Sequence, residues 1–402
     1  MTETDQKQDD GAVRARAVIA AVLLLLLAVL GNLGRLAETL AAAQLPGISM
    51  IGPGNIGRLR ALPLDAGGLP PLQSAALAGP ALAGSPLSYE PFFVAAAAGF
   101  HQEKAQGSAA DAALLREALR RNPRGREAHF LLLRHAVGAG NITEAIGEIA
   151  ILTRLTSGAT DKLMAAIGTS ITNERQADDA VAALSSHPEL FGPFLIGYAQ
   201  GAKPAPLSVY LVTRLPRAAL ADPHVRDIAV SLLISAQAFG EARKLWGAAP
   251  GKAALINNPD FAKTTSHPPF DWTLFENATG VAERAPQGGL SVAYYGREPG
   301  VIASQLLTLA PGRYKARLEY RTEGGTPGAL GMGIRCAGGA NTLFNQPLAG
   351  KIGTVQFLTI TFAVPAKGCT GQIVSISGRV QDSRDPQQAT FRRLDVTQER
   401  AQ

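Results

Sequence analysis

From Pro86 to about Pro250 the apolar residues of this chain recur at helical spacing, and beyond it they alternate. A switch of period from about 3.6 to 2 divides a chain into a helical part and a sheet part. On the sheet side, Tyr314, Ala316, Leu318 and Tyr320 alternate with Lys315, Arg317, Glu319 and Arg321, a strand with one buried and one wet face. Leu330, Met332, Ile334 and Cys336 repeat the pattern. So do Leu358, Ile360, Phe362 and Val364, and then Val374, Ile376 and Val380. Pro311-Gly312 reads as a tight turn before the first of these runs. Short alternating strands parted by Gly and Pro predict an antiparallel β-sandwich over 251–398.

On the helical side, AADAALLREALRR over Ala109–Arg121 sets Ala112, Leu115, Ala118 and Leu119 on one stripe and ends at Asn122-Pro123. A second helix runs from Arg126 to Val137 and stops at Gly138-Ala139-Gly140. Asn141 is placed as an N-cap, with Glu144 three residues on. Further helix pairs begin at Thr160, His187 and Pro223, so that starts fall about 29 to 38 residues apart, the period of helix-turn-helix arrays. Each pair cannot bury its apolar faces alone, so neighbours must stack.

Near the start, AVIAAVLLLLLAVLGNL over residues 17–33 carries no charge. As a helix it would reach roughly 25 Å against a hydrocarbon core of about 30 Å, with Arg14, Arg16 and Arg35 at its ends. It predicts an uncleaved single-pass anchor, with a signal peptide cleaved near Ala41–Ala43 as the other reading. Lys7, Arg14 and Arg16 precede it and only Arg35 follows closely, which places the N-terminus in the cytoplasm and the rest outside. The expected order is therefore a cytoplasmic tail (1–16), a transmembrane helix (17–33), a Pro/Gly-rich extended linker (34–85), a helical repeat domain (86–250) and the sandwich (251–398). That is an α+β multidomain architecture.

Other function classes find little support. The net charge of +6 is small and its basic residues are scattered, so nucleic acid is not an expected partner. Gly52, Gly54 and Gly57 spell G-x-G-x-x-G, but Pro53 interrupts it and no βαβ unit surrounds it. The histidines show no metal-ligand spacing; His129 and His135 are six apart and fall on different faces of a helix. Asp271 beside Trp272 lacks a partner carboxylate for glycoside chemistry. No catalytic residue, metal or cofactor is expected. The cysteines, Cys336 and Cys369, are expected to form a disulfide if that part of the chain is outside the cytoplasm.

ADAALLREALRRNP and EAHFLLLRHAVGAGNITEAIGEIAILTRL resemble tetratricopeptide repeats, although the usual Trp and Tyr of the first helix are missing and later units are degenerate. LINNPDFAKTTSHPPFDWTL, VIASQLLTLAPGRYKARLEYR and FRRLDV resemble jelly-roll carbohydrate-binding modules of the family 4/9 type. The combination with the N-terminal segment also resembles bacterial envelope proteins.

These resemblances imply a non-enzymatic inner-membrane scaffold with periplasmic domains. Its repeats would hold a protein partner and its sandwich a glycan, in assembly or export of a surface polysaccharide. The competing readings are a carbohydrate-active envelope enzyme and a sandwich that merely caps the helices. A glycan would need a ring against which a pyranose can lie, and the candidates are Trp272, Tyr295 and Phe344. Trp272 has core packing as its other reading. Tyr294 and Tyr295 are adjacent on a strand and face opposite ways, with Tyr295 expected outward.

Overall fold

The computed structural model describes residues 55–60, 62–64, 69–102, 106–156, 160–247, 255–263, 267–296, 298–326, 328–380 and 386–399. The chain divides into two compact units, Met1–Ile167 with Ala182–Pro193, and Gly168–Val181 with Phe194–Gln402. The described residues are helical as far as Trp246, and two antiparallel sheets follow.

In the first unit, α1 (Asn55–Arg60), α2 (Ala75–Gly84), α3 (Glu90–Gln102), α4 (Ala109–Arg121), α5 (Arg126–Gly138) and α6 (Ile142–Leu155) follow one another, and consecutive helices from α2 onward pack together. The stripe expected on α4 is the buried one: Ala112, Leu115 and Ala118 are sealed in the core. Ser108 closes a capping box with Asp111, which the sequence reading had not singled out. Asn141 caps α6 by accepting from the Glu144 backbone N–H at 3.2 Å.

Two expectations are corrected here. The described part of the 34–85 linker is not an extended spacer, because Ile56, Leu59, Leu69 and Ala81 are buried in the core of this unit. Pro80 lies inside α2. Apolar residues at helical spacing outweigh the breakers when a neighbouring helix can cover them. The assignment to the inner membrane is also overturned: among the described residues no helix is long and apolar enough to cross a membrane. The longest of them, α6, has 14 residues and spans about 21 Å. Residues 17–33 lie outside the described residues.

His129 on α5 is buried, with Nδ1 2.6 Å from Glu148 Oε2 on α6 and Nε2 3.0 Å from the Pro123 carbonyl. The Pro123 carbonyl can only accept, so Nε2 donates to it, and the Glu148 carboxylate beside Nδ1 favours the protonated ring. Burial pulls its pKa down, but the Glu148 hydrogen bond, the Pro123 bond and the Glu148 charge together raise it above the ordinary value. A raised folded pKa stabilises the fold below the unfolded value near 6.5, and that contribution is lost as pH rises through the folded value. We expect the urea midpoint of this unit to fall as pH climbs from 6 to 9. In His129→Gln the midpoint should be lower at pH 6 and nearly flat with pH; an equally steep slope in the variant would contradict this.

Helices α7 (Thr160–Ser170) and α8 (Glu174–Leu184) come next, followed by a 3-10 turn at Pro188–Leu190. Then come α9 (Phe191–Gln200), α10 (Ala205–Arg214), α11 (Arg217–Leu220), α12 (Pro223–Ser235) and α13 (Phe239–Trp246). Helices start at Thr160 and Pro223 as expected, and the 3-10 turn starts one residue after His187.

The strands are β1 (Thr273–Leu274), β2 (Gly280–Arg284), β3 (Leu290–Tyr294), β4 (Gly300–Leu307), β5 (Gly312–Gly324), β6 (Leu330–Cys336), β7 (Thr342–Pro347), β8 (Val355–Val364), β9 (Gln372–Gly378) and β10 (Gln387–Gln398). Sheet A has the order β1-β4-β9-β6-β7 and sheet B the order β2-β3-β10-β5-β8. The inward residues of both sheets form one core, in which Tyr314 stacks on Phe362 at 5.7 Å and Tyr320 on Phe391 at 6.4 Å. Val380 departs from the expected alternation: β9 ends at Gly378, and Val380 is 61% exposed. Cys336 and Cys369 form the disulfide, with Cα atoms 5.1 Å apart.

Candidate functional site

Of the three rings expected to meet a glycan, the structure turns two inward. Trp272 is 1% exposed, packs on Phe261 at 4.9 Å between ring centres, and donates its indole N–H to the Asn258 carbonyl at 3.2 Å. Phe344, opposite Ile334 in the ladder, is buried in the shared core. Neither can offer a face to a sugar. Tyr295 is 40% exposed, while its neighbour Tyr294 is fully buried with its hydroxyl on the Glu298 carbonyl at 3.2 Å. Asp271 is buried as well, its carboxylate accepting from the Trp272 backbone N–H at 2.7 Å.

The outer face of sheet A shows what the residue-by-residue search for rings missed. By register, Thr273 pairs with Ser304, Ser304 with Ser375, Ser375 with Gly333, and Gly333 with Asn345. This is one line across all five strands. Four strand spacings of about 4.8 Å make it roughly 19 Å long. The residues beside it along the strands, Val374, Ile376, Met332 and Ile334, point into the core, so the line is on the wet face. A second row, Ser377, Gly331 and Pro347, runs beside it.

Small side chains leave this face low, and polar groups lean over it. Arg379 Nη2 donates to Asn345 Oδ1 at 3.0 Å. A Cβ placed on Gly331 would lie 3.5 Å from Arg379 Nε, and one on Gly333 would lie 3.6 Å from Ser375 Oγ and 3.8 Å from Asn345 Oδ1. Hydroxyls, an amide and a guanidinium thus converge over two glycines.

At the β1 side the band enters a cavity of about 340 Å³. Thr273, Ser304, Leu306 and Ile373 form its floor, and Ile234, Gln237 and Phe239 form the helical wall. The wall is fixed in place: a Cβ on Gly371 would meet the Phe239 ring at 2.5 Å, so that ring sits directly on the sandwich backbone. Trp246 donates its indole N–H to the His267 carbonyl at 2.9 Å and meets Phe270 edge-on at 5.8 Å. Arg243 lies over both rings, at 4.8 and 5.1 Å.

No protein family matches the sequence, and no curated protein matches it. Solved structures similar to the sandwich include a CBM4 module, with 14% identity, covering 36% of this chain and 99% of that one at a TM-score of 0.29. Another is TmCBM61 in complex with β-1,4-galactotriose, with 16% identity, 36% and 99% coverage and a TM-score of 0.26. A third is a carbohydrate-binding module of Cellvibrio mixtus lichenase 5A in complex with cellotriose, with 12% identity, 31% and 91% coverage and a TM-score of 0.22. At such scores the likeness decides nothing about ligand, which has to be read from the face itself.

A sequence signal for that face did exist. In LGMGIRC the wet positions of a strand are Gly331 and Gly333, where charged or bulky residues usually stand, and in QIVSISG they are Ser375 and Ser377. Small residues on the outside of adjacent strands mark a groove as readily as aromatic rings mark a platform.

Proposed function

We propose that the sandwich is a non-catalytic glycan-binding module whose ligand lies along the band Thr273–Ser304–Ser375–Gly333–Asn345 on the outer face of sheet A. The observation that carries this reading is the band itself, a row of hydroxyl and amide groups over a glycine floor that opens from a preformed cavity. Sugar hydroxyls need several donors and acceptors at fixed spacing, and a strand ladder supplies them without reorganisation.

The test is affinity electrophoresis of the full chain through gels containing a range of plant and bacterial polysaccharides. Gly333→Ala adds a Cβ at ordinary contact distances and should migrate like the parent. Gly333→Phe fills the band and should weaken retention about tenfold or more with an unchanged melting temperature. Retention of a polysaccharide that is indifferent to Gly333→Phe, or retention by no gel, would refute the site.

The wider reading is an adaptor that holds a glycan through the sandwich and a protein through its helices. It is supported by a cavity of about 710 Å³ among α9, α10 and α12, with Lys203, His224 and Asp227 in its walls. A second reading, the sandwich as a cap on the last helices, is favoured by the seating of Phe239, Arg243 and Trp246 described above. It predicts no retention in any gel.

A further inference from the structure

We infer that the ligand of the sheet A face is an acidic glycan carrying uronate carboxylates, read by Arg379; this rests on the glycan reading above. Two features of the face lead there. The first is the absence of a stacking ring: the outward residues that register places on the face, from Thr273 to Asn345 and from Ser377 to Pro347, include no aromatic. A neutral pyranose would lose the contact that usually anchors it.

The second is unbalanced charge. Arg335 stands on the same wet face of β6 as Gly331 and Gly333, and Arg379 follows β9. Among the described residues neither is paired with a carboxylate, and Arg379 gives one bond to the neutral Asn345 amide. The outer face of sheet B differs. There three arginines do find carboxylates, Arg393 with Asp395 at 2.7 Å, Arg392 with Glu319 at 3.8 Å and Arg313 with Glu399 at 3.7 Å.

A guanidinium has five N–H donors in a plane and binds a carboxylate through two parallel bonds. Asn345 orients the Arg379 fork over the Gly331 floor and leaves its other donors to the ligand. The carboxylate of a uronate lying on Gly331 and Gly333 can meet that fork while its ring hydroxyls meet Ser375 and Asn345.

The test sets sodium polygalacturonate and alginate against the same polymers after carboxyl reduction, with dextran sulfate as a polyanion control, in affinity electrophoresis of the full chain. We expect at least one uronate polymer to retard the parent and its reduced form not to. Arg379→Gln should weaken that retardation about tenfold or more, with an unchanged urea midpoint, while Arg321→Gln on sheet B leaves it alone. If the reduced polymer retards the chain equally, and Gly333→Phe abolishes this, the uronate inference fails and the glycan site stands. Dextran sulfate retardation equal to that by polygalacturonate, unaffected by Arg379→Gln, also overturns the inference as unspecific charge. Retardation by no polymer removes both.

Discussion

Replacing Trp272 by alanine should cost the sandwich about 3–5 kcal/mol and leave glycan retention by the remaining folded molecules unchanged. The size of the loss follows from burial. Trp272 is among the largest fully buried side chains and fills the core against Phe261, where truncation leaves a cavity the surrounding strands cannot close. Its indole N–H also holds the Asn258 carbonyl. Domains are stable by only about 5–15 kcal/mol, so the variant should be marginal. Fluorescence of the remaining Trp246, which rests on the sandwich through the His267 carbonyl, can follow urea unfolding. Unchanged stability with lost retention would mean that this ring serves a sugar after all.

Removing the disulfide with Cys336→Ala and Cys369→Ala together should lower stability by about 3–4 kcal/mol, the chain-entropy value for the loop it closes. The bridge spans 33 residues of sequence and ties the end of β6 to the approach to β9. Those are adjacent strands of sheet A. Gln372 stitches the same corner, donating to the Cys369 carbonyl at 2.7 Å and accepting from the Leu309 N–H at 2.8 Å. Because the β6–β9 ladder and the Gln372 bonds remain without the bridge, Ser375 should stay opposite Gly333 in the folded fraction, and retention should survive at low temperature. A urea midpoint that hardly moves would show that the ladder and Gln372 alone hold the corner.

The alternation of Tyr314 to Tyr320 and of Leu330 to Cys336 made the sandwich legible, since a two-residue period leaves no choice of face once one residue is known to be buried. The partition of Tyr294 and Tyr295 follows from the same rule. Trp272 and Phe344 were proposed from ring chemistry alone, and a large ring in a two-sheet fold has more area to bury in the core than on a face. The residues around Ile56, Leu59 and Ala81 went astray for the opposite reason: Pro and Gly were weighed locally, whereas burial against neighbouring helices decided the outcome. The small wet residues of β6 and β9 were legible strand by strand, but the band they form is a property of register. Ser304, Ser375 and Asn345 are separated by tens of residues, and only the pairing of β4, β9, β6 and β7 brings them into line.

The most direct measurement is a backbone amide NMR titration of the full chain with cellohexaose, galactotriose and an oligogalacturonate, each in turn. Shifts should move at Ser304, Gly333, Ser375 and Asn345 with at least one of them, and stay fixed at Tyr295 and Phe357. Shifts centred on Tyr295 or on Phe357 of β8, or none with any of the three sugars, would contradict the account.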